Sequence, residues 1–109
     1  MTMKVALCLW GDRIAPRYDR SQMVRIVTLE GNTVVHETTL TVEHLEPTTL
    51  CKAVAAQEVG TLICGGVLDQ CRRILTRSGV VIIDNIIGSP RAVLDRFLAG
   101  TLSPGTVVD

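Results

Sequence analysis

The chain's 109 residues fit one domain, and no second domain is expected. Hydrophobic residues make up 47% and aromatics only 3%, so the core must come mainly from Val, Ile, Leu and Ala, as in a buried α/β sheet. Eleven basic and eleven acidic residues cancel, which removes the global attraction behind nucleic-acid binding and leaves only a local basic patch open.

The opening MTMKVALCLWGD has too short an apolar run for a secretory signal, and no stretch approaches the ~20 apolar residues of a membrane span. A cytoplasmic setting is therefore expected, with Cys8, Cys51, Cys64 and Cys71 reduced. The chain lacks the loop-rich character of a disulfide scaffold, so buried thiols or metal ligands are the alternatives.

Residues 3–10 (MKVALCLW) form a continuous apolar run suited to a central strand. The charged segment 11–21 (GDRIAPRYDRS), punctuated by Gly11 and Pro16, is long for a simple connection, and long ordered loops often carry function. Residues 22–30 and 33–40 have strand composition around Gly31 and Asn32, which predicts a hairpin with a glycine-first turn. Pro47 opens a helix whose stripe is Leu50, Cys51, Val54, Ala55 and Val59, ended by Gly60. Cys51 lies on that stripe and reads as core.

Residues 61–64 (TLIC) predict a short buried strand, Gly65 and Gly66 a turn, and 67–77 a helix with Val67, Leu68, Cys71, Ile74 and Leu75 on one face. Residues 80–84 (VVIID) predict the fifth strand. The last helix has Ser89 as N-cap, Pro90 in its first turn, a stripe of Val93, Leu94, Phe97 and Leu98, and Gly100 as its stop. Residues 103–109 read as a loosely held tail. The order βββαβαβα implies right-handed parallel crossovers after residue 46 and an antiparallel hairpin before it. The expected result is a five-stranded mixed sheet with helices on both faces.

The opening MKVALCL, the segment RIAPRYDRSQMVRIVTLEGNTV (13–34), the turn LICGGV, the module GVVIIDNIIGSPRAVLDRFLAG and the following Leu102 resemble the dinitrogenase iron-molybdenum cofactor biosynthesis family, NifX-type proteins and the C-terminal domain of NifB-type proteins. The resemblance covers residues 3–102. It implies a three-layer, ribonuclease-H-like motif with sheet order 3-2-1-4-5 and strand 2 antiparallel. It also implies that the protein binds, carries or helps assemble an iron-sulfur or iron-molybdenum type cluster, exchanged with cluster donor or acceptor proteins. The tail SPGTVVD lacks the cysteine with which some relatives end.

Strands 1 and 4 of that order are parallel neighbours. Cys8 and Cys64 therefore sit near the same sheet edge, where α/β proteins bind ligands at a switch in strand order. Backbone N–H groups of Gly65, Gly66 and Val67 can receive anionic sulfide or oxo groups, with Arg13 and Arg17 adding charge from the facing loop. Thiolates suit iron-sulfur clusters, so Cys64 with Cys8 or Cys71 is a sensible anchor. Each of these cysteines can equally be a small core hydrophobe, and the C-x6-C spacing of Cys64 and Cys71 matches no standard zinc or ferredoxin pattern. His36 reads as a hairpin residue and His44 as a loop residue. Arg72, Arg73 and Arg77 read as a solvated helix face, and Trp10 and Tyr18 as cover for the strand edge or a cofactor.

Strand 1 carries no carboxylate, Asp12 being the first acid, which argues against nuclease chemistry. No G-x-G-x-x-G or P-loop lysine supports nucleotide binding, and no nucleophile–base pair suggests an enzyme. The alternative to cluster binding is a non-catalytic interaction or regulatory module, or a binder of another small anion at the Gly65–Gly66 turn.

Overall fold

A computed structural model describes residues 2–108. Strand β1 (Thr2–Trp10) is the spine, and Val5 to Leu9 are all essentially inaccessible. Burial on both faces is what an uninterrupted apolar strand requires. Its even-numbered side chains Ala6 and Cys8 enter one core, and Val5, Leu7 and Leu9 enter the other.

A two-residue strand, β2 (Arg13–Ile14), folds back onto the end of β1, pairing Ile14 with Leu9 and Arg13 with Trp10. Gly11, at φ 63°, makes that reversal. β3 (Met23–Glu30) and β4 (Thr33–Thr41) form the expected hairpin, with Gly31 at φ 62° in its two-residue turn. β5 (Thr61–Ile63) and β6 (Val81–Ile83) pair in parallel, and β5 pairs in parallel with β1. The main path runs β4-β3-β1-β5-β6, the strand order expected, but the sheet has six strands and not five because β2 joins β1. β5 pairs only with Val5–Leu7, leaving the last residues of β1 open to β2.

Helices α1 (Pro47–Ala56) and α2 (Asp69–Arg77) cover one face, and α3 (Pro90–Leu98) packs on the other. Leu50, Cys51, Val54, Cys71 and Leu75 meet Ala6, Val24, Ile26 and Leu62 in the first core. In the second, Val93 and its neighbours meet Val5, Leu7, Leu9, Val27 and Ile63. Burying each such aliphatic side chain contributes about 1.5–3 kcal/mol, so these two layers fix the helices against the sheet. Ser89 caps α3 as expected: its Oγ accepts a hydrogen bond from Ala92 N–H at 3.3 Å.

Three boundaries differ from the expectation. α1 ends at Ala56, because Glu58 turns into the left-handed region at φ 59° before Gly60 is reached. α2 starts at Asp69, leaving Val67 and Leu68 in the preceding loop and Leu68 exposed. The tail is docked: Val108 N–H donates to Ile87 O at 2.7 Å, Ile87 N–H to Thr106 O at 3.1 Å, and Val108 is buried. No helix among the described residues is long and apolar enough to cross a membrane.

Candidate functional site at the carboxyl edge of the sheet

The segment after β1 and the turn after β5 meet above the strand ends and are joined through their main chains. Tyr18 N–H donates to Gly66 O at 2.7 Å and Gly66 N–H to Pro16 O at 2.8 Å, forming a parallel bridge between Arg17 and Gly66. Ala15 N–H donates to Cys8 O, and Asn85 N–H to Gly65 O. A Cβ on Gly65 would lie 2.2 Å from both Ala15 O and Pro16 O. Glycine is required here by the passage of another backbone, where ligand approach was expected. Gly66 has no comparable constraint, since its nearest would-be contacts are at 3.8 and 3.9 Å.

The expected anion cradle is therefore changed. Of the three amides assigned to it, that of Gly66 is spent on Pro16. Among the described residues, Gly65 and Val67 donate no backbone hydrogen bond outside the regular elements. The start of α2 lies beyond the turn, and Asp69 places a carboxylate in its first turn.

The thiols face inward. Cys8, Cys51, Cys64 and Cys71 are all 0% exposed, share one core with Tyr18, and are all free of disulfides. Burial pushes the Cys8 thiol up to about 12, with Cys51 adding to the shift and a hydrogen bond from Ser21 opposing it. Cys71 is likewise pushed up to about 12, first by burial and then by Cys51. Burial drives Cys64 higher still, with Cys8 and Asp84 reinforcing it and Arg72 opposing. The thiolate is the metal-ligating form; burial disfavours it at Cys8, Cys64 and Cys71, and none of the three presents surface at the sheet edge. Among the described residues, no three His, Cys, Asp or Glu side chains converge as a metal-holding group. Cys64, Cys8 and Cys71 thus come together, but as packing around Tyr18, and they do not fit a thiolate anchor open to the sheet edge.

Tyr18, not Trp10, is what covers the strand ends. It is fully buried, and its hydroxyl has no hydrogen-bond partner in normal geometry among the described residues. Burial raises its ionisation far above the ordinary range, and the thiols of Cys8, Cys51 and Cys71 raise it further. Ser21 N–H and Oγ both donate to Tyr18 O, closing the single 3-10 turn Tyr18–Arg20.

Outside this plug the edge is basic and open. Trp10, 54% exposed, shares a hollow of about 270 Å³ with Pro16, Arg17 and Arg20. Arg17, extended at φ -133° and ψ 134°, leads into the 3-10 turn that ends at Arg20, and the two side chains line the same hollow. Arg20 was absent from the expected site. The i, i+3 arginine spacing in RYDR is its signal, legible only once that turn is known. Arg13 is exposed at the end of β2 but does not line the hollow. Arg17 is held by Asp19, and Arg72 donates to Asp84, which also accepts from Asn85 Nδ2 at 3.3 Å.

Neither a protein-family model nor a curated protein matches the chain. Solved structures do match it. PH0822 superposes with a TM-score of 0.86 at 19% identity, over 94% of each chain. MJ0327 of Methanocaldococcus jannaschii, provisionally described as a dinitrogenase, gives 0.79 at 19% identity, again over 94% of each chain. The apo form of the orange protein from Desulfovibrio gigas gives 0.78 at 18% identity, covering 98% of this chain and 96% of that one. The chain has the fold of these proteins. The description of MJ0327 agrees with the dinitrogenase-related resemblance carried by the RIAPRYD loop and the closing helix.

Proposed function

We propose that the protein is a cytoplasmic, non-catalytic carrier of a small anionic metal species, an iron-sulfur or molybdenum-containing cluster, within the iron-molybdenum cofactor biosynthesis family and its ribonuclease-H-like fold. Arginine and backbone groups at the carboxyl edge hold this cargo, which passes to and from donor or acceptor proteins. One observation carries the reading: below the strand ends the thiols are sealed in the core, while Arg17, Arg20 and Trp10 line an open hollow above them. Arginine recognises oxo and thio anions through its planar fork of donors. The provisional dinitrogenase description of MJ0327 supports the cargo class.

Exposed charges attract weakly, about 1 kcal/mol per pair at 4 Å in water, so several contacts must act together and salt must loosen them. The test is anaerobic reconstitution with iron, sulfide and molybdate, desalting at low and high ionic strength, and metal analysis. Wild type is expected to retain metal at low salt and lose it near ~1 M, where the Debye length falls to about 3 Å. Arg17→Ala with Arg20→Ala should abolish retention, and Cys8→Ala, Cys64→Ala and Cys71→Ala should leave it. Retention that survives salt and disappears with Cys64→Ala would show thiolate ligation instead.

A second reading, an interaction or regulatory module, draws on β4. Every residue of this nine-residue edge strand except Leu40 is exposed, Val35 to 51%. Its open row of backbone donors and acceptors lacks the lysine or proline that blunts most edges. Failure of metal retention in wild type favours this reading.

A further inference from the structure

We propose that Asp19 is a built-in competitor for the arginine hollow, an internal carboxylate that occupies Arg17 when no cargo is bound and keeps the site weak enough to release what it carries. The inference rests on the anion-carrier reading above. Arg17 Nε donates to Asp19 Oδ1 at 3.2 Å and Nη2 to Oδ2 at 2.9 Å. This is the two-point geometry with which arginine grips a carboxylate or an oxo anion. The edge of the guanidinium best suited to an incoming anion is already filled by one.

Asp19 is well placed for this role. Its side chain is only 15% exposed, whereas that of Arg17 is 55% exposed. The carboxylate is the more deeply seated partner, and the guanidinium it holds is the one that solvent reaches. Asp19 belongs to the 3-10 turn whose backbone is closed by Arg20 N–H on Arg17 O and anchored by Tyr18 N–H on Gly66 O. It also lines an adjoining hollow together with Trp10, Arg20 and Glu43, while its ion pair is made with Arg17. A purely orienting role is not needed, because the Arg17 backbone is already fixed by its bridge to Gly66. Loading then exchanges one anion for another at Arg17, and unloading returns Asp19 to it. Both directions stay shallow.

Trp10 is the sole tryptophan and lines the hollow, so its fluorescence reports occupancy directly. Molybdate is titrated at low ionic strength into wild type, Asp19→Asn, Asp19→Ala, Arg17→Ala and the Arg17→Ala/Asp19→Asn double variant, with thermal melts to verify folding. Using two Asp19 variants keeps the test alive if one folds poorly. Removing the carboxylate should tighten binding about tenfold in the wild-type background and far less when Arg17 is already absent, because the competition acts through that residue. Unchanged or weaker binding by both Asp19 variants, with wild type binding, overturns this inference and leaves the carrier reading intact. An equal gain with and without Arg17 also overturns it, since Asp19 would then act only as a general negative charge. No saturable response in wild type or the Asp19 variants overturns the anion-site reading and this inference together.

Discussion

The α-carbon of Gly65 lies so near the main chain of Pro16 that a methyl group on it would stand 2.2 Å from the Pro16 carbonyl oxygen. Neither partner can yield, because Pro16 O also accepts the Gly66 amide proton and the loop beyond it is anchored by Tyr18. Gly65→Ala should therefore cost about 3 kcal/mol or more, at the upper end of overpacking substitutions. Gly66→Ala, whose methyl would meet only ordinary contacts, should cost below about 0.5 kcal/mol. Urea denaturation of the two variants separates them, and equal midpoints would refute the close-approach account.

Tyr18 pairs a fully buried ring with an unpartnered hydroxyl, its polar neighbour Cys51 being a weak partner at best. Desolvating a hydroxyl without compensation is costly, whereas the ring fills the space between the loop and the helices. Tyr18→Phe should accordingly raise stability by about 1 kcal/mol. A lower urea midpoint would reveal a hydrogen bond to the hydroxyl that the structure does not contain.

The buried thiols make stability sensitive to alkali. Cys8 ionises near 9.0 when solvated and near 12 in the fold. Its raised folded-state value means that the unfolded chain releases this proton first. The stabilisation is then complete below about pH 9 and is lost progressively as pH rises towards 12. Melting temperatures between pH 7 and 11 should fall above pH 9, and Cys8→Ala should fall less steeply. A profile unchanged by that substitution would remove Cys8 as the cause.

Thiol labelling checks burial independently. With all four cysteines inaccessible, Ellman's reagent should modify almost none in the native state and all four after denaturation. Rapid native labelling of Cys64 would mean that its strand end opens, and would return thiolate ligation to consideration.

What the sequence revealed depended on how local each signal was. The unbroken apolar run of β1, the Gly31–Asn32 turn and the Ser89, Pro90 and Gly100 punctuation of α3 act within a few residues of themselves. β2 has no periodicity in two residues and exists because β5 leaves the end of β1 unpaired. The docking of Val108 depends on Ile87, far back in the chain. For Cys8 and Cys64, position near a strand end could not distinguish core from ligand. That was decided by Tyr18 and Ala15 closing over the edge, a tertiary event. The meeting of Arg17 and Arg20 at one hollow likewise required knowing how the chain turns between them.

The bridge between Arg17 and Gly66 also bears on speed. The basic rim is assembled by main-chain bonds belonging to the fold itself, so on the carrier reading proposed above its shape exists before a cargo arrives. Arrival restricts only exposed side chains, which reorient in picoseconds to nanoseconds. No slow ordering phase stands between encounter and capture, and association should follow a single concentration-dependent step. For a carrier, the pace of handover then belongs to the meeting of two proteins rather than to the opening of either.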